Sequence, residues 1–279
     1  MRILVYGAAF ILLAYVGLAL LLMVLQRNYM FPAPKGPGAE VPGFELVTYP
    51  TRDGLELAAG YRAAAADLPT ILFFHGNAAD WQSAAQATAS LAGRGYGVLA
   101  AEYRGYRENP GNPSEKGLYL DAHAAADFLL EQGVGSERIV IVGNSIGSGP
   151  AVDLAKDIEP HALVLVSPFT STSDVAAASM PWFPVRLMMR DRFENLAKLP
   201  EIERPILLLH GTDDRVIPDS HSRALAAAQP GATLKLFDQI GHDLAYRDDA
   251  SAAIVAFLEE LDQPPPNPSR LPAQRDMRP

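Results

Sequence analysis

The sequence predicts a doubly wound α/β domain, built on a mostly parallel eight-stranded sheet with helices on both faces and preceded by one transmembrane helix. Three observations carry this expectation. Over residues 42–262, short β-branched runs alternate with alanine-rich helical stretches. Runs such as Ile139–Val142 and Ile206–Leu209 are apolar without interruption, the pattern of parallel strands covered on both faces. Ahead of them, Ile3–Leu25 runs for 23 residues without a charge.

That apolar segment would span about 34 Å as a helix, enough for a hydrocarbon core of about 30 Å. A cleaved signal peptide has a shorter apolar region, about 7–15 residues, and a small-x-small site that Gln26–Pro34 lacks. Residues 1–27 are therefore assigned to a membrane anchor that meets the bilayer through residues 3–25, and residues 28–41 to a linker. An uncleaved segment so near the N-terminus puts the body on the non-cytoplasmic side of a single-pass protein. The flanking positive charges hardly bear on this, since Arg2 on one side faces Arg27 and Lys35 on the other.

In the body, Phe44–Tyr49 and Leu55–Tyr61 have no helix between them and predict an antiparallel hairpin. Six further strands are expected at Thr70–Phe74, Gly97–Tyr103, Arg138–Gly143, Ala162–Ser167, Ile206–His210 and Thr233–Phe237. Helices are expected at Trp81–Arg94, Ser114–Gln132, Gly147–Lys156, Asp219–Ala228 and Asp248–Leu261. Residues 263–279 hold six of the 23 prolines and predict an extended, solvated tail.

Charge and composition narrow the function. The chain carries −9 overall, and beyond residue 34 it sets 21 basic against 32 acidic groups with no basic cluster. Such a surface repels phosphate backbones and argues against nucleic-acid binding. With no cysteine, disulfides, thiolate metal sites and a cysteine nucleophile are excluded.

The sharpest motif is Gly143-Asn144-Ser145-Ile146-Gly147, set directly between a predicted strand and a predicted helix. A sharp strand-to-helix turn forces its corner residue into strained geometry and needs small neighbours two positions away on each side. Ser145 would then present its hydroxyl above the sheet, beside the positive end of the helix. A serine hydroxyl needs a base, and the base needs an orienting acid. The chain order nucleophile, acid, base removes His75 and His123. His161 falls on a helix–strand turn, His210 ends a buried strand where a structural hydrogen bond is its expected role, and His221 lies inside a helix. His242, in the loop after the last strand, remains as the base.

The acid is expected from Gly211-Thr212-Asp213-Asp214, with Asp214 facing His242 and Asp213 forming the turn. Donors for a tetrahedral oxyanion are expected from the backbone N–H groups of Ile146 and of Asn77, the latter in the loop His75-Gly76-Asn77. No metal or organic cofactor is implied.

These motifs, together with Tyr103-Arg104-Gly105-Tyr106, resemble the α/β-hydrolase superfamily from about Phe44 to Leu261. Within it the likeness is to membrane-anchored α/β-hydrolase-domain proteins, a subgroup that includes protein depalmitoylases. The resemblance implies the α/β-hydrolase fold, a Ser145–Asp214–His242 triad, an oxyanion hole at Asn77 and Ile146, and a small cap over residues 168–204. Met180, Trp182, Phe183 and Met188 in that cap offer adaptable apolar surface for an acyl chain, unless they only pack the cap onto the body. Two departures stand out: Arg107 replaces the glycine usual after the Tyr-Arg-Gly-Tyr motif, and the cysteine-rich N-terminus of the depalmitoylases gives way to a spanning helix. The expected activity is a membrane-anchored serine hydrolase acting on an acyl ester or thioester. A serine peptidase of the same fold and a non-catalytic interaction protein are the alternatives.

Overall fold

The computed structural model of the chain describes residues 1–65 and 68–263. All of the predicted tail except Gln263 therefore lies outside the described residues. Eight strands form one sheet: β1 (Glu45–Pro50), β2 (Glu56–Arg62), β3 (Thr70–Phe74), β4 (Gly97–Ala101), β5 (Ile139–Asn144), β6 (Ala162–Val166), β7 (Ile206–Gly211) and β8 (Thr233–Phe237). Their spatial order is β1-β2-β4-β3-β5-β6-β7-β8. The hairpin β1–β2 and the β2–β4 pair are antiparallel, and every later pairing is parallel.

Alternation along the uninterrupted apolar strands divides the core into two layers. Leu72, Ile141, Leu165 and Leu208 face one side, where helices α4 (Glu115–Glu131), α5 (Ser148–Asp157) and α9 (Ser220–Ala228) cover them. Ile71, Val140, Val164 and Leu207 face the other, beneath α2 (Trp81–Ala87), α3 (Ala89–Gly93) and α10 (Asp248–Leu261). The single helix expected over Trp81–Arg94 is thus two. They meet at buried Thr88, whose hydroxyl donates to the carbonyls of Ala84 (2.8 Å) and Ala85 (3.2 Å). Such back-bonding bends a helix. Strand β4 stops at Ala101, two residues short of expectation, because the next side chain, Glu102, accepts from the backbone N–H of Tyr103 and of Trp81.

Residues 168–204 carry α6 (Thr172–Ser179), α7 (Val185–Met188) and α8 (Asn195–Lys198). The N-terminal helix α1 spans Arg2–Met30, long and apolar enough to cross a membrane. The expected boundary at residue 27 needs correcting. The helix continues three residues further, and Phe31 is buried in the core against the edge of the Phe193 ring. Nor are residues 28–41 a free linker. Lys35 donates to the Gly105 carbonyl (2.5 Å), and Arg107 N–H donates to Pro34 O (2.7 Å). Sequence patterning missed this because the anchoring residues are few and irregularly spaced.

Candidate active site

Every side chain singled out for chemistry sits in a loop at the carboxyl ends of β3, β5, β7 and β8, where open α/β sheets gather their ligands. Ser145 follows β5 with φ of +53°, in the left-handed region. A Cβ on Gly147 would lie 2.2 Å from the Phe74 carbonyl oxygen, and one on Gly143 would lie 2.6 Å from that of Gly147. Glycine at both positions is thus a steric requirement of the turn. Ser148 Oγ donates to Ser145 O (2.7 Å), and Asn195 Nδ2 donates in turn to Ser148 Oγ (3.0 Å), which ties the corner to the base of the cap.

His242 Nε2 stands 3.0 Å from Ser145 Oγ, and His242 Nδ1 stands 2.6 Å from Asp214 Oδ2. A carboxylate only accepts, so Nδ1 carries the hydrogen and Nε2 is left to accept from the serine hydroxyl. The other carboxylate oxygen of Asp214 accepts from the N–H groups of Val216 and Ile217, both at 2.9 Å. Burial opposes charge on Asp214, but hydrogen bonds from His210, His242 and Ile217 outweigh it and hold the carboxyl well below its ordinary range. Asp213 is exposed, and its N–H donates to Ile240 O (2.9 Å). Buried His210 accepts from Ser222 Oγ at Nδ1 (2.6 Å) and donates from Nε2 to Ile217 O (2.8 Å), fixing the turn around Asp214.

The loop after β3 is braced from beneath. His75 Nε2 lies 2.7 Å from Glu102 Oε1, and Tyr103 OH donates to His75 O (2.9 Å). Asp80 caps α2 by accepting from Ser83 N–H (2.8 Å) and forms an ion pair with Arg107. A Cβ on Gly76 would lie 3.5 Å from Ser145 Cβ, so this loop closes against the serine. Asn77 and Ile146 line the same cavity as Ser145 and His242. Arg107, at the position where glycine was expected, keeps the left-handed backbone that glycine favours (φ +49°). Its ion pair with Asp80 and its backbone bond to Pro34 hold it there.

A cavity of about 890 Å³ opens over Ser145. Met180, Phe183 and Met188 line it; Trp182 does not, and is 77% exposed. The cap forms only part of the wall. The loops around Ser145 form another part, and Leu22, Met23, Gln26, Tyr29 and Met30 of α1, which the sequence reading assigns to the anchor and linker, form a third. No signal could have singled them out, because a segment apolar on all sides shows no stripe.

A sequence profile of the alpha/beta hydrolase family matches residues 71–192. An uncharacterized protein of Mycobacterium tuberculosis is 35% identical over 227 residues, covering 79% of this chain and 81% of its own length. The chain belongs to the α/β-hydrolase family. Human alpha/beta hydrolase domain-containing protein 17B is 39% identical over 160 residues, 56% of this hydrolase and 54% of that protein, so the two align over about half their lengths. Among solved structures, an esterase of Pyrococcus furiosus superposes with a TM-score of 0.69 at 19% identity, covering 83% of this chain and 98% of its own; it shares the fold.

Proposed function

We propose that this α/β hydrolase is a membrane-anchored serine hydrolase that cleaves carboxylic ester or thioester bonds through an acyl-enzyme. Ser145 is the nucleophile, His242 the general base and then acid, and Asp214 the group that orients the imidazole. The observation that carries the reading is the continuous relay of 2.6 Å and 3.0 Å from Asp214 through His242 to a serine held in left-handed geometry.

In the first half-reaction the Ser145 oxygen attacks the carbonyl carbon as its proton passes to His242 Nε2. The N–H groups of Ile146 and Asn77 receive the oxyanion, a contribution of roughly 3–4 kcal/mol per donor where one has been removed in related sites. The tetrahedral species collapses by breaking the carbon–oxygen or carbon–sulfur bond, and His242 returns the proton to the leaving alcohol or thiol. Water then repeats the sequence on the acyl-serine and releases the acid. The carbonyl and acyl chain lie in the cavity lined by Met180, Phe183 and Met188. Trp182 is left out of this role. Helix α1 anchors the enzyme, with the catalytic body on the non-cytoplasmic side.

The test is labelling of the full chain with a fluorophosphonate probe, beside the Ser145→Ala variant. Wild type should label and turn over p-nitrophenyl esters, and the variant should do neither, with turnover lower by about 10⁶-fold and an unchanged melting temperature. No labelling of the folded wild type would favour a non-catalytic interaction protein. Labelling combined with turnover of peptide amides and not of esters would favour a peptidase.

A further inference from the structure

The cap does not stand apart from the membrane helix. Tyr15 stacks flat on Phe183, with centroids 5.0 Å apart and planes 3° from parallel, and its hydroxyl donates to Trp182 O (2.8 Å). Further along, Gln26 Oε1 accepts from Arg190 N–H (2.8 Å), and Arg27 grips Asp191 with two bonds of 2.6 and 3.0 Å. The cap therefore follows α1 from Tyr15 to Arg27, about 18 Å at 1.5 Å per residue.

A hydrocarbon core of about 30 Å takes about 20 helical residues, so a span starting at Ile3 leaves the core near Leu22. Tyr15 then lies about 10 Å inside it, and the cap tip beside Tyr15 lies at similar depth. That tip carries Trp182, 77% exposed, and Leu187, 84% exposed, follows it along the seam next to Met188, whose carbonyl accepts from Gln26 (3.3 Å). In water each would forgo roughly 1.5–3 kcal/mol of burial that a hydrocarbon surrounding supplies. The catalytic cavity has its wall in this same seam, between Leu22 and Met23 on α1 and Met180, Phe183 and Met188 on the cap.

We propose that the cap tip is immersed in the leaflet, and that the cavity receives the acyl chain of a bilayer-resident ester sideways, through the seam between α1 and the cap. Leu22 and Met23 are then residues that set acyl-chain selectivity, although they belong to the membrane helix. The proposal rests on reading α1 as a membrane span and Ser145 as the nucleophile. It goes further in naming the substrate class as an ester held in the membrane by its own chain, and in giving Trp182 a role other than substrate binding.

Two measurements on the full chain in phosphatidylcholine vesicles test it. The chain has two tryptophans, Trp81, which is buried, and Trp182. The difference in emission between wild type and Trp182→Phe therefore reports Trp182 alone. It should be quenched by lipids brominated on the acyl chain; no quenching overturns the immersed cap, whatever the enzyme's activity. In the second measurement, turnover of p-nitrophenyl palmitate in the vesicles is compared with that of p-nitrophenyl butyrate. Met23→Trp should lower the palmitate-to-butyrate ratio by about tenfold or more, the discrimination a methylene or more of pocket volume supplies. Val24→Trp, on the outward face where Val24 is 73% exposed, should leave the ratio unchanged. Retained fluorophosphonate labelling certifies the folded site in each variant, and Leu22→Phe gives a milder narrowing should Met23→Trp fail to label. Equal ratios in all variants overturn the side opening while leaving the hydrolase reading intact. A wild type inert toward both esters, yet quenched at Trp182, overturns the catalytic reading instead.

Discussion

Replacing Arg27 with alanine removes the clamp between the end of α1 and the cap. Asp191 is 4% exposed in its side chain, and its carboxylate accepts from Arg27 Nε, from Arg27 Nη2 and from the backbone N–H of Glu115 at the start of α4 (2.9 Å). Breaking a fully buried pair costs about 3–5 kcal/mol, because the remaining charge is stranded. Exposed pairs are worth about 0.2–1 kcal/mol. The Arg27 side chain is 45% exposed, and Asp191 keeps one N–H donor after the change, so the cost falls between these cases, at about 1–2 kcal/mol. In a body of this size each kcal/mol shifts Tm by about 2–4 °C, so a fall of about 2–8 °C is expected. The assay is thermal unfolding of the full chain in detergent micelles for Arg27→Ala, Asp191→Asn and the double variant. The two changes should be non-additive by about 1 kcal/mol, since either one breaks the same pair. Strict additivity, or an Arg27→Ala protein that melts with wild type, would show that α1 is not docked on the cap and would refute the argument that it forms a cavity wall.

Three further predictions concern the loops around the site. Asp214→Asn should lower ester turnover by about 10⁴-fold by favouring the wrong imidazole tautomer, with Asp213→Asn near wild type; kcat/KM for p-nitrophenyl butyrate checks this, and the reverse ranking would move the acid by one position. Because the Asp214 carboxyl is held below its ordinary range, the native state binds fewer protons than the unfolded state in acid. Its contribution is therefore complete above a pH of about 4 and is lost as pH falls below that, so urea midpoints should drop less steeply between pH 4 and pH 2 for Asp214→Asn than for wild type. Arg107→Gly and Arg107→Ala both lose the ion pair to Asp80, but at φ near +49° only alanine has a Cβ that is penalised, so the glycine variant should be the more stable by about 1 kcal/mol in urea unfolding.

The parallel core was legible because strands such as Ile139–Val142 are apolar on both faces, a pattern that local sequence carries by itself. The corner at Ser145 was legible for a similar reason: its glycines, strand and helix are contiguous. The convergence of Asp214 and His242 on Ser145 could be ordered along the chain, but the distances belong to the sheet. What sequence did not disclose depends on contacts between distant segments. Nothing local marks Met23 as part of a cavity wall rather than as lipid-facing. Trp182 looks like its neighbours Met180 and Phe183, yet a tight turn, in which Phe183 N–H donates to Met180 O (3.1 Å), separates their directions. Arg107 stands where the resemblance leads one to expect glycine, and the partners that hold it, Asp80 and Pro34, are distant in sequence.

The loops after β7 and β8 are laced together independently of the hydrogen bond between Asp214 and His242. Thr212 N–H donates to Phe237 O (2.9 Å), Asp213 N–H to Ile240 O (2.9 Å), and Gln239 N–H to Thr212 Oγ1 (3.1 Å). Asp214 and His242 therefore sit on two cross-linked loops at the β7–β8 end of the sheet, whereas Ser145 follows β5 nearer its middle. The spacing of Asp214 and His242 is thus set by bonds between the two loops as well as by their own hydrogen bond.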